Sequence, residues 1–191
     1  MPSSYLSLDQ LLTKVDEPYR SGFEQLMQQN HEEFRLARGS TRNHQAWRGG
    51  YIDHVQEVMN LAVVQYTVFS QLRPLPFSLS DALVVLFVHD LEKPWAYEQV
   101  GDRWQRREGL KEQAHEFRMA KLKQSSIDLS PELENAVLFV EGEGANYTNH
   151  SRGMSPLAAF CHMCDVASAR LWYDYPLESD DPWKGAARSA S

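Results

Sequence analysis

Apolar residues recur at helical spacing along most of the chain, and alternating strand-like runs are short and few. Several helical patterns begin at a capping residue, as at Ser78, which has Asp81 three residues later. The pattern therefore predicts an all-α fold, with a loop or a short hairpin over 95–107. The predicted helices cover 6–15, 18–36, 51–69, 78–93, 108–123, 131–140 and 155–173.

Loop-forming residues separate these helices and set the domain limits. Segments 38–48 and 141–153 are loop-like, and Gly49–Gly50 makes a clear break before the third helix. From Pro176 onward the composition turns to Ser, Asp, Gly and Ala. We therefore predict one helical domain over 1–175 and a flexible C-terminal tail over 176–191, in which Trp183 is a candidate for docking.

The most apolar stretch of the chain ends in two side chains that can bind a metal. Residues 82–88 are all apolar and run directly into His89 and Asp90. Burying an imidazole and a carboxylate is costly unless both are compensated. A divalent metal ion compensates both, because neutral imidazole and carboxylate are good ligands. The alternative is a structural pair at a helix end.

Two flanking helices can supply further ligands. His54 lies at the edge of the apolar stripe of the third helix. Asp165 lies in the last helix, and small residues at helical spacing let that helix approach another closely: Ala158, Cys161 and Ser168. Mixed imidazole and carboxylate ligands favour Mn, Fe, Co, Ni or Zn over Ca. The predicted metal ligands are His54, His89, Asp90 and Asp165.

Composition narrows the class of protein. A net charge of −7 argues against a protein that coats nucleic acid but leaves a nucleotide substrate open. The chain starts without a signal-like segment, and no apolar run approaches membrane-spanning length. The two cysteines cannot form a disulfide framework. We therefore expect a cytoplasmic protein without a membrane segment, and a homo-oligomeric state is left open.

The ordered set H…HD…D on successive helices resembles the HD-domain metal-dependent phosphohydrolases. Residues 89–94, HDLEKP, are similar to the family's HD-x-x-K-P segment. Residues 48–54, RGGYIDH, are similar to the R-G-G-L-L-x-H segment of its exonuclease-like members, and residues 165–169, DVASA, to its closing A-D-x-x-D-A segment. The resemblance covers roughly residues 43–170 and implies a compact HD-domain helical bundle. It also implies that Asp90 bonds both the metal and the attacking water.

One part of the chain departs from the family pattern. Residues 109–120 resemble the segment that holds the first extra histidine of members with two metals, and His115 lies within it. The adjacent His-His pair that should follow is absent, and residues 140–143 read VEGE instead. The resemblance then implies one tightly bound ion. A weaker second ion is left open, with Glu141 or Glu143 replacing a ligand.

Further side chains near the ligands are candidates for substrate contact or catalysis. Lys93 follows His89 by one helical turn and either stabilises charge on a phosphate or is a solvated helix-end residue. Arg48 and His44 can hold a phosphate or a base, although His44 also fits a plain loop position. His115 can bind a second metal, protonate the leaving oxygen, or lie on a solvated helix face. We predict Asp90, Lys93 and His115 as catalytic residues and Arg48, His44 and Lys93 as substrate-binding residues.

Three functions follow from these residues. The leading hypothesis is a phosphohydrolase that acts on a nucleoside mono- or triphosphate, or a similar small phosphate ester, through a metal-activated water. A phosphodiesterase or 3'-5' exonuclease-like activity is the second; the RGG similarity favours it and the acidic charge disfavours it. The third is a catalytically weak nucleotide sensor, which the missing histidine pair favours. The expected partner is a small nucleotide, with the end of a nucleic-acid chain as the alternative.

Overall fold

The computed structural model describes residues 4–101, 103–110, 112–172 and 181–188, and these residues are mostly helical. The α-helices are α1 (Leu8–Leu12), α2 (Tyr19–Gln29), α3 (His31–Leu36), α4 (Gly50–Leu72), α5 (Leu79–Val88), α6 (Lys93–Ala96), α7 (Ala114–Gln124), α8 (Pro131–Phe139) and α9 (Pro156–Val166). An antiparallel hairpin of β1 (Tyr97–Val100) and β2 (Arg103–Arg106) follows α6. The prediction of a mainly helical fold is confirmed, and the hairpin is one of the two alternatives predicted for 95–107.

Capping residues fix the starts of three helices where the sequence predicts them. The Ser78 hydroxyl accepts from the Asp81 N–H at 3.0 Å, and the Asp81 carboxylate accepts from the Ser78 N–H at 2.9 Å, which completes a capping box. The Ser130 and Ser155 hydroxyls cap α8 and α9 by accepting from the N–H groups of Leu133 and Ala158, and each serine is followed by a proline in the first turn. These local signals place α5, α8 and α9.

Other helix boundaries differ from the prediction. The helix predicted over 18–36 is broken at Asn30, whose side chain donates to the Leu26 carbonyl at 2.8 Å and competes with the backbone. The helix predicted from residue 108 begins only at Ala114, because Gly109 adopts a left-handed φ of 79°. The last helix ends at Val166 and continues as a π-helix, Ala167–Leu171. A short 3₁₀ helix, Gly144–Asn146, lies in the predicted 141–153 loop.

The apolar run of α5 lies at the centre of the core. Residues 82–88 are all 0% exposed, and Phe87 stacks on Phe23 of α2 with ring centroids 4.1 Å apart. Helices α4 and α9 pack on α5 and on each other, α8 packs on α5 and α9, and α1 lies on α4. His89 and Asp90 follow directly after α5 and are 1% and 2% exposed. The fold therefore places them between α4 and α9.

None of the helices in the described ranges combines the length and the apolar character needed to cross a bilayer. The longest, α4, has 23 residues, and its buried face includes Asp53, His54 and Glu57.

Residues 181–188, which belong to the predicted tail, lie against the helical body. The Tyr5 N–H donates to the Lys184 carbonyl at 2.9 Å, and the Trp183 ring meets the Tyr5 ring edge-on with centroids 5.1 Å apart. The Gln56 amide of α4 donates to the Ala187 carbonyl at 3.4 Å. Residues 176–180 and 189–191 of the predicted tail lie outside the described residues.

Candidate metal centre

Three helical segments bring four candidate ligands to one point. His54 comes from the second turn of α4, His89 and Asp90 from the turn after α5, and Asp165 from the last turn of α9. The His54 Nε2 atom lies 3.2 Å from His89 Nε2, 3.2 Å from Asp165 Oδ1 and 3.5 Å from Asp90 Oδ2. The His89 Nε2 atom lies 3.2 Å from Asp90 Oδ2 and 3.7 Å from Asp165 Oδ1. The four predicted metal ligands therefore converge.

Hydrogen bonds on the far side of each ring turn both Nε2 atoms towards this point. His89 Nδ1 lies 2.7 Å from the Leu86 carbonyl, which can only accept, so Nδ1 carries the proton. His54 Nδ1 lies 3.1 Å from Ser168 Oγ, whose own hydroxyl donates to Glu57 Oε2 at 2.6 Å. Ser168 therefore accepts from His54. In the neutral form, both imidazoles direct an Nε2 lone pair into the cluster, as metal-binding histidines do.

The charges of the cluster can be balanced by a proton or by a metal ion. Two facing lone pairs and two carboxylates repel one another in a buried site. Burial lowers the pKa of His54, whereas at His89 the nearby Asp90 and Asp165 carboxylates outweigh burial and raise the pKa to about 10. The pKa of Asp165 stays well below its usual range despite burial, because both imidazoles bond to it. In the metal-free cluster, the raised pKa of His89 favours a proton on that ring, which offsets carboxylate charge. His54, His89 and Asp165 are placed so that they could hold a metal ion in its stead.

Lys93 lies at the edge of the same cluster. Its ammonium contacts Asp90 Oδ2, and the side chains are only 10% and 3% exposed. Burial opposes the charge of Lys93, but Asp90 outweighs this effect and raises the pKa of the amine. Burial likewise opposes ionisation of Asp90, yet Lys93 and His89 hold its pKa well below the usual range. The turn after α5 and the first residue of α6 thus present an imidazole, a carboxylate and an ammonium together.

His44 also lies beside the cluster. Its ring is half-buried and centred 4.7 Å from the His54 ring, and its Nδ1 bonds Gln45 Oε1 at 2.7 Å. Burial lowers the pKa of His44 to about 4, so this imidazole is neutral at neutral pH. Because Gln45 Oε1 can only accept, the Nε2 atom of His44 is left with a lone pair.

The structure places the other two candidates farther out. Arg48 is exposed, at the end of the loop before α4. His115 lies in the first turn of α7, half-buried, and its Nδ1 atom is buried without a hydrogen-bond partner among the residues described. One turn later, the Arg118 guanidinium donates to the His89 carbonyl. Helix α7 is therefore tied to the metal-ligand turn, while the described contacts join neither Arg48 nor His115 to the ligands.

A buried glutamate anchors the elements around the site. Glu92 is 2% exposed, and its two carboxylate oxygens lie 3.2 Å from Arg106 of β2 and 3.2 Å from Arg118 of α7. Burial raises the pKa of Glu92, although Arg118 partly opposes this. One carboxylate thus holds the hairpin and α7 against the ligand-bearing turn.

A buried polar network behind His54 is absent from the sequence prediction. The Gln45 amide donates to Glu57 Oε2 at 2.8 Å and to Ser168 Oγ at 3.3 Å, and all three side chains are buried. The prediction treats Ser168 only as a small spacer; its hydroxyl in fact orients His54. The available signal was Glu57, a charged residue on the apolar stripe of α4.

Two glycines make room for this network. Gly49 has a left-handed φ of 79° and precedes the first residue of α4. At Gly50, a Cβ atom would lie 1.9 Å from the Gln45 carbonyl oxygen. The double glycine therefore lets the preceding loop pass tightly over the start of the helix that carries His54.

Comparison of the chain with protein-family models, with curated proteins and with solved structures finds no match.

Proposed function

We propose that this protein is a metal-dependent phosphohydrolase of the HD-domain type that acts on a nucleotide or a similar small phosphate ester. One observation carries the proposal. The Nε2 atoms of two buried imidazoles lie 3.2 Å apart, facing two carboxylates, and the Lys93 ammonium stands beside one of these. Nitrogen and oxygen donors in this mixture suit a divalent transition metal, and a buried ammonium suits a phosphate.

The donor set divides into a metal side and a substrate side. His54, His89 and Asp165 would hold the ion, with Asp90 as the fourth ligand. When bound, the ion lowers the pKa of a water molecule and polarises a phosphoryl oxygen. The Asp90 carboxylate accepts a hydrogen bond from the attacking water and so orients it. This role fits the position of Asp90 Oδ2 between His89 and Lys93.

Lys93 supplies positive charge where the phosphate develops negative charge. An ammonium has three N–H donors, and the contact with Asp90 uses one of them. Another donor is then available for a phosphoryl oxygen. A donor held in place by its own carboxylate partner is preorganised, which is the condition under which such groups lower a barrier most.

The remaining candidates fit the rest of a small substrate. His44 is neutral with a lone pair on Nε2, so it can accept a hydrogen bond from a sugar hydroxyl or a base amine. The exposed Arg48 adds charge that can meet an outer phosphate. His115, whose Nδ1 atom is buried and without a partner in the described part of the chain, is the proposed general acid for the leaving oxygen.

The test is turnover by the full chain loaded in turn with Mn, Co, Ni or Zn. Nucleoside mono- and triphosphates and a labelled oligonucleotide are supplied, and release of phosphate, pyrophosphate or triphosphate is followed. We expect hydrolysis of a small nucleotide that stops when the metal is chelated. Lys93→Met should lower kcat by about 100-fold. Lys121→Met is the control, because it removes a lysine charge from a half-buried position away from the cluster, over the Trp95 ring at 4.0 Å.

Two results would refute the proposal. The first is Lys93→Met with the kcat of the unchanged protein. The second is tight nucleotide binding, seen as a shift of the melting temperature, without turnover under any metal; this would identify a nucleotide sensor instead.

A further inference from the structure

A cavity of about 150 Å³ lies against the network behind His54. Among the described residues, it is lined by Glu57, Trp172, Asp181, Pro182 and Trp183. Glu57 joins this cavity to the candidate metal centre, since its carboxylate bonds Ser168 and Ser168 bonds His54. None of the candidate metal or substrate residues lines it. The cavity is therefore separate from the proposed catalytic site, and its contents do not depend on the proposed function.

Two indole rings form the walls of the cavity. The ring centroids of Trp172 and Trp183 lie 6.5 Å apart, and the ring planes meet at 68°. The Tyr5 ring packs against the Trp183 ring with their planes at 86°, and the Trp183 backbone N–H donates to Asp181 Oδ1 at 2.8 Å. Rings that meet near a right angle offer two π-faces to one guest, which is the arrangement that favours an organic cation.

The charges on the cavity wall favour the same guest. Asp181 is paired with Arg188 at 3.4 Å, and both side chains are almost fully buried. Glu57 accepts hydrogen bonds from neutral groups, Gln45 and Ser168, and within the described residues no salt bridge joins it to a cation. Burial raises the pKa of Glu57 to about 7, against the smaller effects of Ser168 and Arg188. A cation in the cavity would stabilise the charged carboxylate.

We infer that this cavity binds a small organic ammonium ion, with Trp172 and Trp183 as its aromatic walls and Glu57 as its counter-ion. A cavity of roughly this size can hold a guest of about six heavy atoms. A bare metal ion suits it poorly, since indole faces offer no ligand atoms. A neutral apolar guest would add no positive charge beside the buried Glu57 carboxylate.

The test uses tetramethylammonium as the probe and tert-butanol as a neutral molecule of the same size and shape. The full chain is titrated with each at constant ionic strength by calorimetry, and the indole N–H signals are followed by NMR. We expect saturable binding of tetramethylammonium with a dissociation constant on the order of 1 mM, as suits so small a ligand. The signals of Trp172 and Trp183 should move, and tert-butanol should not saturate.

Three variants locate the binding. Trp172→Ala should abolish it, whereas Trp104→Ala should leave it unchanged; Trp104 is the matched control because it is 38% exposed against 36% for Trp172. Glu57→Gln keeps the size and an acceptor oxygen but removes the charge, and should weaken binding at least about tenfold. Circular dichroism and melting confirm that each variant folds, and Trp172→Ala decides the question if Glu57→Gln does not fold.

Either of two outcomes overturns the inference. One is equal binding of tert-butanol and tetramethylammonium, or no saturation by the ammonium ion, which would leave an apolar or water-filled cavity. The other is equal loss in Trp172→Ala and Trp104→Ala, which would place the binding elsewhere.

Discussion

The two imidazoles of the candidate metal centre are equally buried but are held in different ways. His89, the residue after α5, is oriented by the Leu86 carbonyl in the last turn of that helix. His54 is oriented by the Ser168 hydroxyl, 114 residues away, which is itself fixed by Glu57. The surroundings also act on the two rings in opposite directions, because burial lowers the pKa of His54 and the carboxylates raise that of His89.

This contrast separates local from distant determinants of one site. The orientation of His89 is fixed locally, because its hydrogen-bond partner is the main-chain carbonyl of residue 86, which any residue at that position supplies. The region around His54 depends on three side chains from separate parts of the chain, Gln45, Glu57 and Ser168. The His89 side should therefore resist substitution of its neighbours, and the His54 side should be sensitive to it.

The largest expected effect comes from removing either ring. His54→Ala and His89→Ala should each lose the bound metal and lower kcat by about 100- to 1,000-fold, because the cluster loses a ligand. Metal content after desalting and turnover are the measurements. His162→Ala is the control, since His162 also places Nδ1 against a carbonyl, that of Val140 at 2.6 Å, but lies outside the cluster. Full metal occupancy in His89→Ala would contradict the assignment.

The next effect tests the tight loop over the start of α4. Gly50→Ala should destabilise the protein by about 2–4 kcal/mol, because its methyl group meets the Gln45 backbone, which cannot move aside. Gly22→Ala is the comparison: its methyl group meets the Ile127 side chain at 2.5 Å, which can adjust. Urea denaturation measures both. An equal loss of unfolding free energy in the two variants would show that the loop before α4 can move to accommodate the methyl group.

A smaller expected effect comes from a substitution that removes the orienting partner of His54 but leaves that of His89 in place. Ser168→Ala removes the partner of His54 and should weaken metal binding by about 10- to 100-fold, as loss of an orienting partner does. Ser80→Ala is the control, because Ser80 is also buried and hydrogen-bonded, to the Asp16 N–H at 2.8 Å, away from the site. Metal titration by calorimetry compares them. If Ser168→Ala binds metal like the control, then orientation of His54 does not depend on the distant network.

The smallest expected effect is the change in metal affinity for each unit of pH. In the metal-free protein the pKa of His89 is about 10, so the metal must displace one proton from this ring at neutral pH. The affinity should therefore rise by about tenfold per pH unit between pH 6 and 8 and fall as pH is lowered. Titrations in buffers of different ionisation enthalpy would count the released proton. An affinity independent of pH would mean that His89 is already neutral.

Local signals in the sequence predict much of the fold. The signals at Ser78, Pro131 and Ser155 place the starts of three helices correctly, since each acts within a few residues. The break at Asn30 is missed, because the apolar pattern continues on both sides of it and only the side-chain bond to Leu26 reveals it. The start of α7 is missed because helix propensity outweighed a single glycine in the prediction.

The sequence predicts the metal ligands of the candidate site but not the side chains that support them. Order and residue type are enough to predict that His54, His89 and Asp165 come together, and they lie within reach of one metal ion. The support from Ser168 could not be predicted, because a serine on a helix gives no sign of a partner 111 positions away in Glu57. The roles of Asp90, Lys93, His115, Arg48 and His44 in a reaction stay predictions.

The hydrogen bond between Tyr5 and Lys184 joins the two ends of the described chain. During synthesis on the ribosome, residues 181–188 emerge after every helix described above. The hydrogen bonds of Tyr5 with Lys184 and of Gln56 with Ala187 therefore form after those helices have been made. A nascent chain paused before this point would contain every candidate metal ligand but would lack one wall of the Trp172–Trp183 cavity.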